Sequence, residues 1–197
     1  VVTIKGGTKT ERTNFYTALY HSLIAPNIFN DVDGRYRGAD FAIRQLPPGQ
    51  SMYTVFSLWD TFRASHPLFV LLYPDIATEF VKTLITKYEE GNLLPVWELA
   101  GNETGIMIGY HSIPVIADAY VKGLRNFDLN RAYIAMKASA EANHLGLDYY
   151  KNKGYIPIDR ENEGVSKTLE YAYDDWCIAQ ISEYLKQPEE RDYYLRR

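Results

Sequence analysis

Only one cysteine, Cys177, occurs among the 197 residues, so no disulfide can form within the chain and cysteine usage leaves the redox compartment open. No apolar run reaches the roughly 18 residues that a membrane-spanning helix needs. Basic clusters are lacking and the net charge is −4, which argues against a nucleic-acid partner. His21, His66, His111 and His144 are scattered without an H-x-x-x-H pair, which argues against a zinc site. The G-x-S-x-G elbow, the P-loop and G-x-G-x-x-G are all missing. No sequence repeat of fixed period is found, which lowers a solenoid reading.

What is present favours helices. Apolar residues make up 46% of the chain, enough for a sizeable core. There are also 17 Tyr, whose flat faces and hydroxyls suit polar ligands such as sugars and large helical cores alike. Phe15, Tyr16, Leu19, Tyr20 and Leu23 recur at helical spacing after a cap at Thr13 or Asn14, and Ala25-Pro26 ends that helix. Residues 27–50 read as a long, ordered but irregular connection. Within it, Asp31, Asp33 and Gly34 fit a turn better than a calcium loop, because further oxygen ligands and a closing Glu are lacking.

More helices are expected from Ser57, restarted or kinked at Pro67, and from a cap at Asp75 to Gly91. The second has Ile76, Phe80, Val81, Leu84, Ile85 and Tyr88 on one face. Others follow over residues 113–124, from a cap at Asp128, over residues 145–153, and from a cap at Ser166 to about Leu185. The Ser166 helix carries apolar residues on more than one face, as a buried inner helix does. Residues 1–7 resemble a strand separated from its sheet and residues 189–197 a helix without a stop signal, so both ends are expected to be cut. The fold class is all-α, with paired helices in a ring or stack and ligand loops at one end.

Four groups could do chemistry. Residues 94–112 gather Trp97, Glu98, Asn102, Glu103 and His111 between glycines, a composition that fits a loop at the mouth of a pocket. A tight helix connection, with Glu98 or Glu103 as a cap or first-turn charge, is the plainer alternative. Asp60 and Arg63 share a helical face beside Trp59, in a ligand site or in an ion pair. Asp174 and Asp175 sit in an otherwise apolar helix, where at least one needs a cavity, a cation or a donor. Asp33, Arg35 and Arg37 are expected to form a solvated, self-paired loop. Acids mixed with aromatics are what glycoside hydrolysis requires: two carboxyl groups flank the scissile bond, and flat rings stack on the sugar.

Several long segments carry a resemblance: residues 15–22 (FYTALYHS), 31–38 (DVDGRYRG), 53–64 (YTVFSLWDTFRA), 97–104 (WELAGNET), 107–112 (MIGYHS) and 166–176 (SKTLEYAYDDW). In these, nearly end to end and in order, the chain resembles glycoside hydrolase family ninety-two, the bacterial exo-acting α-mannosidases, many of them α-1,2-mannosidases. The resemblance implies an N-terminal β-sandwich followed by an (α/α)6 barrel, and a calcium-dependent, inverting hydrolysis of terminal mannose from glycans. Residues 1–197 then form a single helical region from the first part of that barrel, without the sandwich and the C-terminal half. The family's general acid and general base are expected beyond Arg197, as are most groups near the calcium.

By the same resemblance, Asp60 binds the terminal mannose hydroxyls, and Trp59, Trp97, Glu98, Glu103 and His111 line the pocket, with Asp175 and Asp174 as its floor. A bacterial periplasmic or secreted protein follows, whose partners are mannose-containing glycans and the missing parts of its own polypeptide. Two other readings stay open: a non-catalytic sugar-binding helical module, and another (α/α)-barrel sugar enzyme such as an epimerase.

Overall fold

Nine helices and seven short strands alternate along residues 2–197, the residues that the computed structural model describes. The first helix, α1 (Lys9–Ser22), starts at Thr8. The Thr8 hydroxyl accepts from the Glu11 N–H at 3.2 Å and the Glu11 carboxylate accepts from the Thr8 N–H at 2.6 Å. That reciprocal capping box, rather than Thr13 or Asn14, fixes the helix start. Residues 2–7 form no strand, and Gly6 and Gly7 turn the chain there with positive φ. Val1, the first residue of that expected strand, lies outside the described residues.

Residues 27–50 are less irregular than their sequence implies. They hold β1 (Asn27–Ile28), β2 (Arg35–Arg37) and β3 (Ile43–Gln45). β2 and β3 pair as a hairpin, and β1 pairs with β4 (Tyr53–Thr54), both antiparallel. Strands of two or three residues are too short to print a period-two pattern, which is why they escape sequence reading. The turn at Asp31 is as expected: the Gly34 N–H donates to the Asp31 carbonyl at 2.9 Å.

Next come β5 (Phe56–Ser57), α2 (Leu58–Thr61), α3 (Ser65–Leu72) and α4 (Pro74–Gly91). Pro74 opens α4, so Asp75 lies inside its first turn instead of capping it. A hairpin of β6 (Trp97–Leu99) and β7 (Asn102–Glu103) occupies the stretch expected to be a loop. α5 (Ser112–Val121), α6 (Leu129–Glu141), α7 (Leu147–Lys153), α8 (Gly164–Tyr184) and α9 (Pro188–Arg196) complete the chain. Asp128 caps α6 as read, accepting from the N–H groups of Asn130 and Arg131. α8 begins after Glu163, three residues before the expected cap at Ser166. The all-α class is therefore corrected to mostly helical with three small antiparallel sheets.

The core lies between α4, α5, α6 and α8, where Phe80, Val81, Leu84, Ile113, Ile116, Met136, Ile178 and Ile181 are buried together. On α4, Phe80, Val81, Leu84 and Ile85 of the expected apolar face are buried, Tyr88 is partly buried and Ile76 is exposed. α8 is buried along one side only. Val165, Leu169, Tyr173, Trp176 and Tyr184 recur at helical spacing and form an exposed apolar stripe on the other. No helix of the described residues is long and apolar enough to cross a membrane.

His66 of α3 is 4% exposed, packed against the rings of Phe56, Phe69 and Phe80. Burial penalises the imidazolium and pulls the His66 pKa down from 6.5 to about 4. A depressed histidine pKa means that the folded state favours the neutral ring. Stability from this group is therefore complete above pH 6.5 and is lost as pH falls towards 4. Relative to a His66→Phe variant, unfolding free energy should fall by up to about 1.4 kcal/mol per pH unit in that window. Parallel stability curves for the two proteins would contradict this.

Candidate functional site

The three-stranded sheet β5–β6–β7 carries Trp97, Glu98 and Glu103 and leads directly into α2, which carries Trp59 and Asp60. In its register Ser57 faces Trp97, Phe56 faces Glu98, and Glu98 faces Glu103. The two-residue connection Ala100-Gly101 has positive φ at both positions, the geometry that closes tight hairpins. Gly101 has no substitute there, because a Cβ would come within 2.7 Å of the Phe29 ring.

Alternation along β6 sends Trp97 and Glu98 to opposite faces. Trp97 is half-buried and Glu98 is 1% exposed. The Glu98 carboxylate accepts from the Thr54 hydroxyl at 2.8 Å, the Val55 N–H at 2.9 Å and the Lys87 ammonium at 2.9 Å. Glu103 is committed as well: its carboxylate accepts from the N–H groups of Val96 at 2.6 Å, Trp97 at 3.1 Å and Gly105 at 2.8 Å. Glu98 therefore ties the sheet to α4, and Glu103 ties the hairpin to its own entry.

Asp60 is exposed, as Glu103 is, but it accepts from a hydroxyl rather than from backbone N–H groups. It lies in α2, and its carboxylate accepts a short hydrogen bond from the Ser57 hydroxyl. The Asp60–Arg63 ion pair, one of the two readings of that spacing, does not form. Arg63 instead donates to both carboxylate oxygens of Glu170, at 2.8 and 3.0 Å. Trp59, the neighbour of Asp60, is 41% exposed. Ser57 thus links Asp60, to which it donates, with Trp97, its partner across the sheet, and Glu103 accepts from the Trp97 N–H.

His111 and Asp175 lie elsewhere, deep in the helical core. His111 is fully buried: Nδ1 is 2.8 Å from Asp174 Oδ1 and Nε2 is 3.4 Å from Glu170 Oε2. Its ring stacks on Phe62 at 4.1 Å, so it backs α2 from the inside. Gly109 makes room for this ring, since its φ is +80° and a Cβ would come within 2.4 Å of the imidazole. Asp174 also accepts from the Tyr110 N–H at 2.8 Å, and burial raises its pKa against the pull of His111.

Asp175 accepts from the Tyr110 hydroxyl at 2.7 Å, and Arg197 Nε lies 3.0 Å from its other oxygen. Burial outweighs that guanidinium and pushes the Asp175 carboxyl up to about 7. Of the fourth group, Asp33 pairs with Arg35 at 2.6 Å. Arg37 instead reaches the hairpin turn, donating to the Ala100 carbonyl at 2.6 Å and to Asn102 at 2.9 Å.

Sequence reading passed over Lys87, which is 5% exposed beneath the hairpin. The signal was there: position 87 follows Leu84 by one turn on the buried face of α4, and a lysine in that place needs an anion. A cleft of about 700 Å3 beside α3, lined by Arg63, Pro67, Leu71 and Lys122, includes none of the expected site residues. A smaller cavity of about 140 Å3 takes in Glu103, Tyr110 and His144. No group of three or more His, Cys, Asp or Glu among the described residues is placed to hold a metal ion. Calcium takes six to eight oxygen ligands. Asp33, Asp40, Glu98, Asp174 and Glu103 are occupied by Arg35, Arg44, Lys87, His111 and backbone N–H groups, and Asp60 belongs to no cluster of acids, so these residues do not fit a calcium site.

The glycosyl hydrolase family 92 catalytic domain matches residues 1–197, and the chain belongs to that family. Two solved structures from Bacteroides thetaiotaomicron are similar to it. One is the family GH92 alpha-mannosidase BT3965 in complex with mannoimidazole, 45% identical with a TM-score of 0.92, over 98% of this chain and 26% of that one. The other is the inverting mannosidase BT2199, 35% identical with a TM-score of 0.91, over 98% of this chain and 27% of that one. A curated relative from Arthroderma benhamiae, described as an uncharacterized secreted glycosidase, is 25% identical over 215 residues, covering 100% of this chain and 23% of its own length. The chain thus spans about a quarter of these relatives.

Proposed function

We propose that this chain is part of an exo-acting, inverting α-mannosidase that removes terminal mannose from glycans, with α-1,2 linkages as its substrate. Its share of the work is one wall of the mannose pocket. The observation that supports this reading is that Ser57 pairs with Trp97 across β5 and β6 and donates to Asp60, which follows Trp59 in α2. Asp60 accepts hydrogen bonds from vicinal sugar hydroxyls, and an indole covers the apolar patch of the ring. Glu98, Glu103, His111 and Asp175 act behind that wall, because each already has at least one protein partner.

The names of the two Bacteroides relatives support mannoside chemistry and inversion. Helices of an (α/α)6 barrel need neighbours on both sides, and the exposed stripe of α8 offers such a face. On this reading the acid, the base and most of the calcium ligands belong to other parts of the polypeptide. A secreted or periplasmic location belongs to the same reading, and the name of the fungal relative supports secretion.

The test is product analysis with the full-length protein. Hydrolysis of an α-1,2-mannobiose should release free mannose that first appears as the β-anomer, read by proton NMR. Release of the α-anomer, or of an epimer of mannose, would overturn the assignment.

A further inference from the structure

Val55 has φ +66°, a left-handed conformation that crowds the Cβ of any β-branched residue. Such a conformation persists only where its surroundings impose it. It is also the single residue between β4, which pairs with β1, and β5, which pairs with β6. Its backbone therefore decides how the chain passes from one sheet to the next. Two residues further on, Ser57 faces Trp97 and donates to Asp60.

What holds Val55 is the buried ion pair. Glu98 Oε2 accepts from the Val55 N–H at 2.9 Å, while Oε1 accepts from Thr54 and from Lys87. The Thr54 hydroxyl oxygen in turn accepts from the Gly101 N–H at 3.1 Å, joining the hairpin turn to the same point. A neutral side chain at 98 could not accept from all three donors at once, since one end of an amide is itself a donor.

We propose that Lys87 and Glu98 are positioning residues for the sugar pocket. They hold Val55 left-handed and thereby place Ser57, Asp60 and Trp97 without touching the sugar. The proposal rests on Asp60 being a mannose contact, and its test separates the two claims.

The test uses the full-length enzyme with Lys87→Met/Glu98→Gln, which removes both charges so that neither is stranded, with and without Val55→Gly. Glycine occupies the left-handed region freely and needs no clamp. The charge-free pair should raise KM on an α-mannoside about tenfold while kcat changes less than about threefold, and adding Val55→Gly should restore most of KM. Crystal structures of both variants read φ at residue 55 and the Ser57–Trp97 register directly. Unchanged KM together with a positive φ and an intact register would overturn the proposal. So would a KM rise that Val55→Gly leaves untouched. A displaced Val55 and Asp60 with unchanged KM would uphold the positioning and overturn the pocket reading. If the charge-free pair fails to fold, Val55→Gly should recover a cooperatively melting protein, and failure to do so would count against the clamp.

Discussion

In the full-length enzyme, Asp60→Ala should lower kcat/KM on α-mannosides by about 100- to 1000-fold while leaving the fold intact. The size follows from the chemistry of the contact. A hydrogen bond to a charged group contributes about 1.5–3 kcal/mol, and a carboxylate reaching two vicinal hydroxyls makes two of them. Losing roughly 3–4 kcal/mol of transition-state stabilisation corresponds to that range of rate. The fold survives because Asp60 is exposed and gives up one contact, the Ser57 hydroxyl. Steady-state kinetics beside a melting curve checks both halves. Near-normal activity would remove Asp60 from the site, and a collapsed melting transition would make it structural.

Glu98→Ala should act first on the fold, with a large loss of stability. The Lys87–Glu98 pair is 2.9 Å long with side chains 6% and 1% exposed. Removing the carboxylate leaves an ammonium, the Thr54 hydroxyl and the Val55 N–H without their acceptor. Breaking one half of a buried pair destabilises by about 3–5 kcal/mol, because the remaining charge stays uncompensated. Lys87→Met/Glu98→Ala should recover a good part of that loss, since the stranded charge goes too. Denaturant unfolding of the three proteins measures it. A Glu98→Ala protein within about 1 kcal/mol of the parent would show that solvent reaches the pair.

The helices were legible because they announce themselves at the spacing of a turn. Phe80, Val81, Leu84 and Ile85 are buried on α4 as their pattern says, and Asp128 caps α6 where it stands. The family likewise showed in long continuous motifs that survive without any structure. The sheets were not legible. A strand of two residues has no periodicity, and its pairing is set by partners 27 residues away, as with Asn27 and Thr54. The helix starts at Thr8 and Glu163 were missed because local capping geometry, rather than residue type alone, decides which polar residue ends the coil.

Within the candidate site, residue type marked the right neighbourhood but not the division of labour. Glu98 and Asp60 are both carboxylates beside a tryptophan in the sequence. Only alternation along β6 and the position of Lys87 separate the buried one from the open one. The fate of His111 depends on Asp174 and Glu170, more than 50 residues further along, and no local pattern carries such a contact.

One structure tests the main claim, that this segment walls a mannose pocket: the full-length enzyme crystallised with mannose or a non-hydrolysable mannoside. The sugar should rest against an indole of Trp59 or Trp97, with two adjacent hydroxyls within about 3 Å of the Asp60 carboxylate. A sugar bound elsewhere, with Asp60 facing bulk water and both indoles bare, would contradict the claim.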